Sequence, residues 1–106
     1  MKVLYQIMVP TIYGDTMKPI STKHHKNWDA YVRNITGGLT ITGVSKGQWV
    51  DPKTGALWVE RIIPVQIACT QSEMENIVKF SLSHYRQKAI MYCLLSNEIK
   101  IVEAKV

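Results

Sequence analysis

Asp51-Pro52-Lys53-Thr54-Gly55-Ala56-Leu57-Trp58-Val59-Glu60-Arg61-Ile62-Ile63-Pro64-Val65-Gln66-Ile67-Ala68-Cys69 is the stretch that decides the fold. Its first five residues make a turn by mechanism: the Pro52 ring fixes φ, and Gly55 accepts a left-handed conformation that side chains resist. The rest reads as one strand from Ala56 to Cys69, with Ile63, Val65, Ile67 and Cys69 on one face. Upstream, Leu39 and Ile41 alternate with Thr40 and Thr42. At Gly43 the apolar phase slips by one residue, as a β-bulge produces. The strand resumes from Val44 to Val50, so a long bulged hairpin is expected.

Working outward, Val3 to Val9 is apolar at nearly every position and closes at Pro10. Such a run suits a strand covered on both faces, hence a central one. Thr11 to Ile20, with Gly14, Asp15 and Pro19, reads as a loop. Ser21 or Thr22 then caps a helix whose Trp28, Tyr31, Val32 and Ile35 form one apolar stripe. Gly37 and Gly38 end it. Beyond the hairpin, Ser72 and Glu75 match a capping box opening a second helix with Met74, Ile77, Val78, Leu82 and Tyr85. Ala89 to Leu95 reads as a second central strand, and Ser96-Asn97-Glu98 turns the chain into a short last strand, Ile99 to Ala104. The order predicts a single α+β domain over residues 1–106, the βαββαβ ferredoxin-like arrangement. It has an antiparallel sheet, two helices on one face and a short extra C-terminal strand. The other face is too apolar to meet water, so a homo-oligomer is expected.

At 106 residues the chain has length for one modest core. Apolar residues make up 46% and charged residues 20%, which excludes disorder. No apolar run reaches the roughly 18 residues that a membrane span needs, and the start lacks a signal-peptide pattern. A cytoplasmic protein is expected. Cys69 and Cys93 lie in apolar runs and read as buried free thiols. The net charge of +5 gathers partly in Lys18, Lys23, His24, His25 and Lys26. Such a patch can meet nucleic acid or an anionic small molecule, but a solvated face is the simpler reading. Nucleic acid is unlikely as a partner, because no aromatic-and-basic signature of an RNA-binding sheet accompanies it.

Glycine-rich phosphate loops, Cys-x-x-Cys, His-Glu-x-x-His and nucleophile elbows are all absent from the sequence. Adjacent His24 and His25 diverge by about 100° on a helix and cannot share one metal without distortion, and a site with the distant His84 needs tertiary contacts, so no metal site is expected. Glu60 stands out as a carboxylate in a mostly apolar strand. It belongs either to the solvent end of the hairpin or to a subunit junction, where it favours a cationic ligand group. A pair with Arg61 or with a lysine across the hairpin is the alternative. Trp49 and Trp58 face each other near the turn, suiting a flat cationic ligand or simple cross-strand packing. Tyr5, Tyr13 and Tyr92 can bring hydroxyls to a pocket.

Gly38-Leu39-Thr40, Gly47-Gln48-Trp49-Val50-Asp51-Pro52, Gly55 and Glu60 together resemble the core of an uncharacterised bacterial family, domain of unknown function 3574. That likeness covers about a third of the chain and implies no activity. A second resemblance runs almost end to end. Val3-Leu4-Tyr5, Ser21 to His25, Gly38-Leu39, Trp58-x-Glu60, Val65-x-Ile67-x-Cys69 and Ala89 to Cys93 are similar in order and spacing to phage S-adenosylmethionine-degrading enzymes. It implies small ferredoxin-like trimers with active sites between subunits. The implied reaction cleaves S-adenosylmethionine to methylthioadenosine and homoserine lactone by attack of the substrate's own carboxylate, with no metal, cofactor or protein nucleophile. Of the family's functional residues only Glu60, matching its acid, is carried over, to hold the ligand's cationic end; Trp49, Trp58 and Tyr5 are expected as substrate-binding residues on the reading of the residues above. Trp49 or Trp58 stands where a family tyrosine is expected. The rival readings are a non-catalytic trimeric ligand-binding or regulatory protein, and a partner-blocking protein that uses the basic segment.

Overall fold

The computed structural model describes residues 1–105. The elements run β1 (Val3–Pro10), α1 (Thr22–Thr36), β2 (Thr40–Ile41), β3 (Ser45–Val50), β4 (Leu57–Cys69), α2 (Gln71–His84) and β5 (Tyr92–Ser96). All five strands join one antiparallel sheet in the order β2-β4-β1-β5, with β3 continuing beside β4 after β2. Counting β2 and β3 as one interrupted strand gives the ferredoxin-like α+β fold. The interruption is the expected bulge. Ile41 pairs with Val65 and Ser45 with Ile62, so residues 42, 43 and 44 stand against only 63 and 64. That extra residue moves the apolar phase by one.

Both helices cover one face of the sheet. Tyr5, Ile7 and Val9 of β1 and Val65, Ile67 and Cys69 of β4 point into this side. Helix α1 contributes Trp28, Val32 and Thr36, four residues apart along one stripe, and α2 contributes Met74, Ile77 and Ser81. Trp28 is only 1% exposed. Its indole nitrogen still has a partner, because it donates to Ser81 Oγ at 2.8 Å. The serine hydroxyl in turn donates to the Ile77 carbonyl at 2.6 Å. The buried polar pair is thus satisfied, which spares the desolvation penalty of about 1–3 kcal/mol for an orphaned group.

The helix ends follow local rules. Ser21 caps α1 through its hydroxyl, which accepts from His24 N, and Gly37 closes it at φ 93°. At α2 the capping box is Thr70 with Glu73, two residues before the expected Ser72–Glu75 pair. Starting there brings Met74 to the buried face one turn into the helix.

Three further expectations fail. The last strand is absent, since residues 98–105 form no regular structure. The predicted central strand Ala89–Leu95 becomes β5, Tyr92–Ser96, which pairs only with β1 and is an edge. Cys93 is consequently exposed, whereas Cys69 is buried as expected. Burial pushes the Cys69 thiol up to about 11, so it stays protonated at neutral pH.

The β3–β4 hairpin projects from this body. The radius of gyration is 15.3 Å and the longest dimension 57 Å, against about 13 Å expected for the radius of a compact chain this long. Val44, Trp49, Val50, Leu57, Trp58 and Val59 all lie exposed along it. Its turn is self-supporting. Asp51 Oδ1 accepts from Lys53 N at 2.7 Å, and Gly55 takes φ 73°.

Candidate functional site

Side chains alternate across a strand, so Glu60 and Ile62 of β4 project from the face opposite Val65 and Ile67. Glu60 pairs in register with Gly47 of β3. A Cβ on Gly47 would touch Glu60 Cγ at 3.6 Å, so glycine there keeps the stem of the carboxylate uncovered. Next to it, Trp49 and Trp58 are direct cross-strand partners with ring centroids 6.0 Å apart and planes 20° from parallel. The expected tryptophan pair is real. A hollow of about 490 Å³ gathers Glu60, Gly47 and Trp49 with Ile62, Met8, Met91 and Gln87. That volume suits a small-molecule ligand, and its wall is mainly apolar and aromatic. Trp58 is not part of the lining and supports Trp49 from outside.

The electrostatics of this cleft are simple. Ion pairs among the described residues join Arg86 to Asp15 and Lys100 to Glu98, each at 3.2 Å, and leave Glu60 without a cation. The alternative in which Arg61 or a lysine neutralises Glu60 is therefore not realised. Strand alternation sends Lys46 and Arg61 to the opposite face. There they pair in register and line a separate hollow of about 460 Å³ with Val44 and Val59. One hairpin thus carries an acidic side and a basic side.

The remaining candidates are placed elsewhere. Tyr5 is buried on the helix-covered face, on the other side of the sheet from Glu60, with its ring edge against Tyr92 at 5.9 Å. Tyr13 carries the Arg86 guanidinium over its ring at 4.2 Å. The residues that periodicity alone missed are Met8, Ile62, Gln87 and Met91. Strand parity from Glu60 leads to Ile62, and the β1–β4 register leads to Met8. For Gln87 no sequence signal exists.

The basic segment is not one solvated patch. Lys18, Lys23 and Lys26 are exposed, but His24 and His25 are half-buried between the helices. His24 and His84 stack with centroids 3.6 Å apart. Each donates through Nε2 to the other's backbone carbonyl, at 2.7 Å and 2.8 Å. A carbonyl only accepts, so both rings carry hydrogen on Nε2. His25 Nδ1 and the Tyr85 hydroxyl share a hydrogen bond of 2.8 Å. Burial holds His25 and His84 below their ordinary values and pushes Tyr85 up. Among the described residues no group of three or more His, Cys, Asp or Glu is arranged to hold a metal ion. No helix among them is long and apolar enough to cross a membrane.

A two-helix, bulged-hairpin ferredoxin-like sheet with an acidic cleft defines the class to which solved structures can be compared. No protein family's model matches the sequence, nor does any curated protein. Solved structures do match in fold. A divalent cation tolerance protein (Cut A1) from Thermus thermophilus is similar at 9% identity, with 99% of this chain and 88% of that one covered and a TM-score of 0.65. A phage SAM lyase in complex with S-methyl-5′-thioadenosine is similar at 12% identity, covering 97% and 90%, with a TM-score of 0.64. CutA from Synechococcus elongatus is similar at 10%, covering 88% and 73%, with a TM-score of 0.59. At these identities the shared property is the fold, and the resemblance of the sequence to phage S-adenosylmethionine-degrading enzymes holds at that level.

Proposed function

We propose that this chain is a lyase that cleaves S-adenosylmethionine to methylthioadenosine and homoserine lactone, in a cleft completed by a neighbouring subunit. The observation that carries the reading is Glu60, a carboxylate with no cationic partner among the described residues, set in an apolar wall beside the Trp49 ring. Such a site is complementary to a cation that also offers a flat apolar surface. The fold it shares with a phage SAM lyase supports the same ligand class.

The chemistry asks little of the protein. An oxygen of the substrate's carboxylate forms a bond to the carbon bearing sulfur, and the carbon–sulfur bond breaks with its electron pair going to sulfur. The sulfonium becomes a thioether, the carboxylate becomes a lactone, and no proton moves. Folding the substrate so that these atoms meet converts a rare geometry into the bound one. Opposite charges vanish in the step, so the Met8, Ile62, Met91 and Trp49 wall favours it by excluding water from both. Glu60 helps most on the substrate ammonium, whose charge persists. Set against the sulfonium, it would stabilise the ground state more than the transition state.

The exposed Trp49, Val50, Leu57, Trp58 and Val59 of the hairpin support a homo-oligomer, which we take to be a cytoplasmic trimer. Purified protein incubated with S-adenosylmethionine, with products followed by chromatography and mass, is the direct test. Methylthioadenosine should appear faster than in buffer, and Glu60→Gln should lower that rate at least about a hundredfold. Thermal stabilisation by the nucleoside without turnover would mark a binding module instead. Neither effect would end the adenosyl reading.

A further inference from the structure

Helix α2 ends in a way that spends backbone strain on one side chain. Tyr85 is the last capping residue, Arg86 follows at φ 51°, and Gln87 follows that. The Arg86 amide donates to the Ser83 carbonyl at 3.2 Å and the Gln87 amide to the Leu82 carbonyl at 2.9 Å. These two bonds make a Schellman ending, whose left-handed position is usually glycine. Here an arginine holds it. A left-handed residue with a side chain costs free energy and persists only where surroundings fix it. The surroundings are the Asp15 ion pair, the Tyr13 ring and Gly14, where a Cβ would overlap the Arg86 carbonyl.

What the strained turn delivers is Gln87 at the edge of the Glu60 cleft. Its Nε2 donates to the carbonyls of Ile12 and Tyr85, both at 3.0 Å. Two carbonyls around one terminal atom identify it as the nitrogen, and both of its hydrogens are then used. The other terminal atom, Oε1, accepts no hydrogen bond from the described residues. No half-buried side chain among them hides an unpartnered polar atom from solvent, so Oε1 is open. Glu60 and Gln87 thus both line the cleft, and Oε1 is the terminal atom of Gln87 left without a partner. That oxygen cannot turn into a donor, because its amide is pinned by two carbonyls.

We propose that Gln87 Oε1 is the specificity-determining acceptor of the cleft, reading an N–H donor on the flat part of a ligand whose cationic part lies at Glu60. The inference rests on the adenosyl reading above, and it deepens that reading by naming the purine edge recognised. The exocyclic amine of adenine supplies the donor. A 6-oxo purine turns an oxygen lone pair toward Oε1 and is rejected.

The test is calorimetric binding of S-adenosylhomocysteine, which keeps the ammonium that Glu60 would hold, and of its 6-oxo analogue, S-inosylhomocysteine, to the wild-type chain and to Gln87→Met. Neither ligand carries the sulfonium that the lyase step needs, so binding is read without turnover. Wild type should bind the amino form at least about tenfold more tightly, the worth of one hydrogen bond gained and one repulsion avoided. Gln87→Met should bind both forms alike. Equal affinity of wild type for the two forms would overturn the role of Gln87 while leaving the adenosyl cleft intact. A preference that survives in Gln87→Met would overturn it too, and binding of neither form would remove it together with the reading beneath it. Should Gln87→Met fail to fold, Gln87→Ala replaces it under the same criteria, and a wild-type ratio of one overturns the role by itself.

Discussion

Strand β4 runs through two regions built on opposite rules. Its second half, Ile63 to Cys69, lies under two helices, where Val65, Ile67 and Cys69 are sealed and every buried polar side-chain atom among the described residues has a partner. Its first half, Leu57 to Arg61, stands in solvent with Leu57 61% and Trp58 48% exposed. The same residue types serve both halves, so apolar character does not separate core from hairpin. What separates them is whether this chain supplies the opposing surface. The covered half is finished by α1 and α2. The hairpin meets no such cover among the described residues, and it also supplies Gly47, Gln48, Trp49, Glu60 and Ile62 to the candidate cleft.

The largest expected effect breaks this contrast directly. Trp28→Ala should cost about 3–5 kcal/mol, because it opens a large cavity and strands the Ser81 hydroxyl from its indole partner. Trp58→Ala should cost an isolated subunit less than about 1 kcal/mol, the worth of its cross-strand stack on Trp49. Urea denaturation of dilute protein checks both numbers, and sedimentation of concentrated protein reads the hairpin's other role. If Trp58→Ala unfolds the subunit as thoroughly as Trp28→Ala does, the hairpin is part of the core and needs no neighbour.

The contrast also explains what was legible in the sequence. Period-two and helical spacing reflect which side of an element is buried, and here they carry the βαββαβ order, the one-residue bulge near Gly43 and the Trp49–Trp58 pairing. Two kinds of feature escape them. Where local signals are degenerate, long-range packing decides. Thr70-x-x-Glu73 and Ser72-x-x-Glu75 both spell a capping box, and burial of Met74 selects the first. Where an apolar run has no partner within the chain, sequence cannot tell centre from edge, so β5 and Cys93 depart from expectation. At the site, Glu60 and Trp49 stand out as residue types. Tyr5 is a candidate as a pocket hydroxyl, yet alternation along β1 turns it to the helices. The His24–His84 stack and Gln87 join segments about sixty or more residues apart, and no local pattern announces them.

That stack gives a second prediction, intermediate in size, on the helix-covered half. Acidification adds a proton at Nδ1 of His84, whose ring lies stacked 3.6 Å from that of His24 and half-buried between the helices. Burial lowers the folded value of His84 below its ordinary 6.5, with the neighbouring His24 charge acting the same way and the hydrogen bond to the His24 carbonyl opposing. Burial also lowers His25, against Asp29, which pulls it up, while His24 and His84 add to the lowering. A histidine that binds its proton more weakly when folded makes the unfolded state the better proton acceptor. Stability is therefore complete above about 6.5 and is lost as the pH falls through that value toward the depressed folded ones. Melting temperatures compared at about pH 7.5 and about pH 5 should drop by several degrees. His84→Gln keeps a donor for the His24 carbonyl but cannot charge, so its drop should be smaller. An equal drop in both proteins would show that other groups set the acid limit.

The smallest effect tests whether the hairpin is adapted to a neighbour or merely exposed. Lys46 and Arg61 are direct cross-strand partners of like charge on its basic side. In an isolated hairpin such a pair is unfavourable, and Lys46→Glu replaces repulsion with attraction. The variant should gain about 0.5 kcal/mol in low salt, and the gain should fade near 1 M salt, where the screening length shrinks to about 3 Å. Denaturant midpoints of dilute protein measure it. A hairpin that was only solvent-exposed would show this gain at every protein concentration. If the gain turns into a loss as protein concentration rises into the range where subunits associate, the two cations are answered by an acidic group across the boundary. The repulsion within one chain is then the consequence of an attraction between chains.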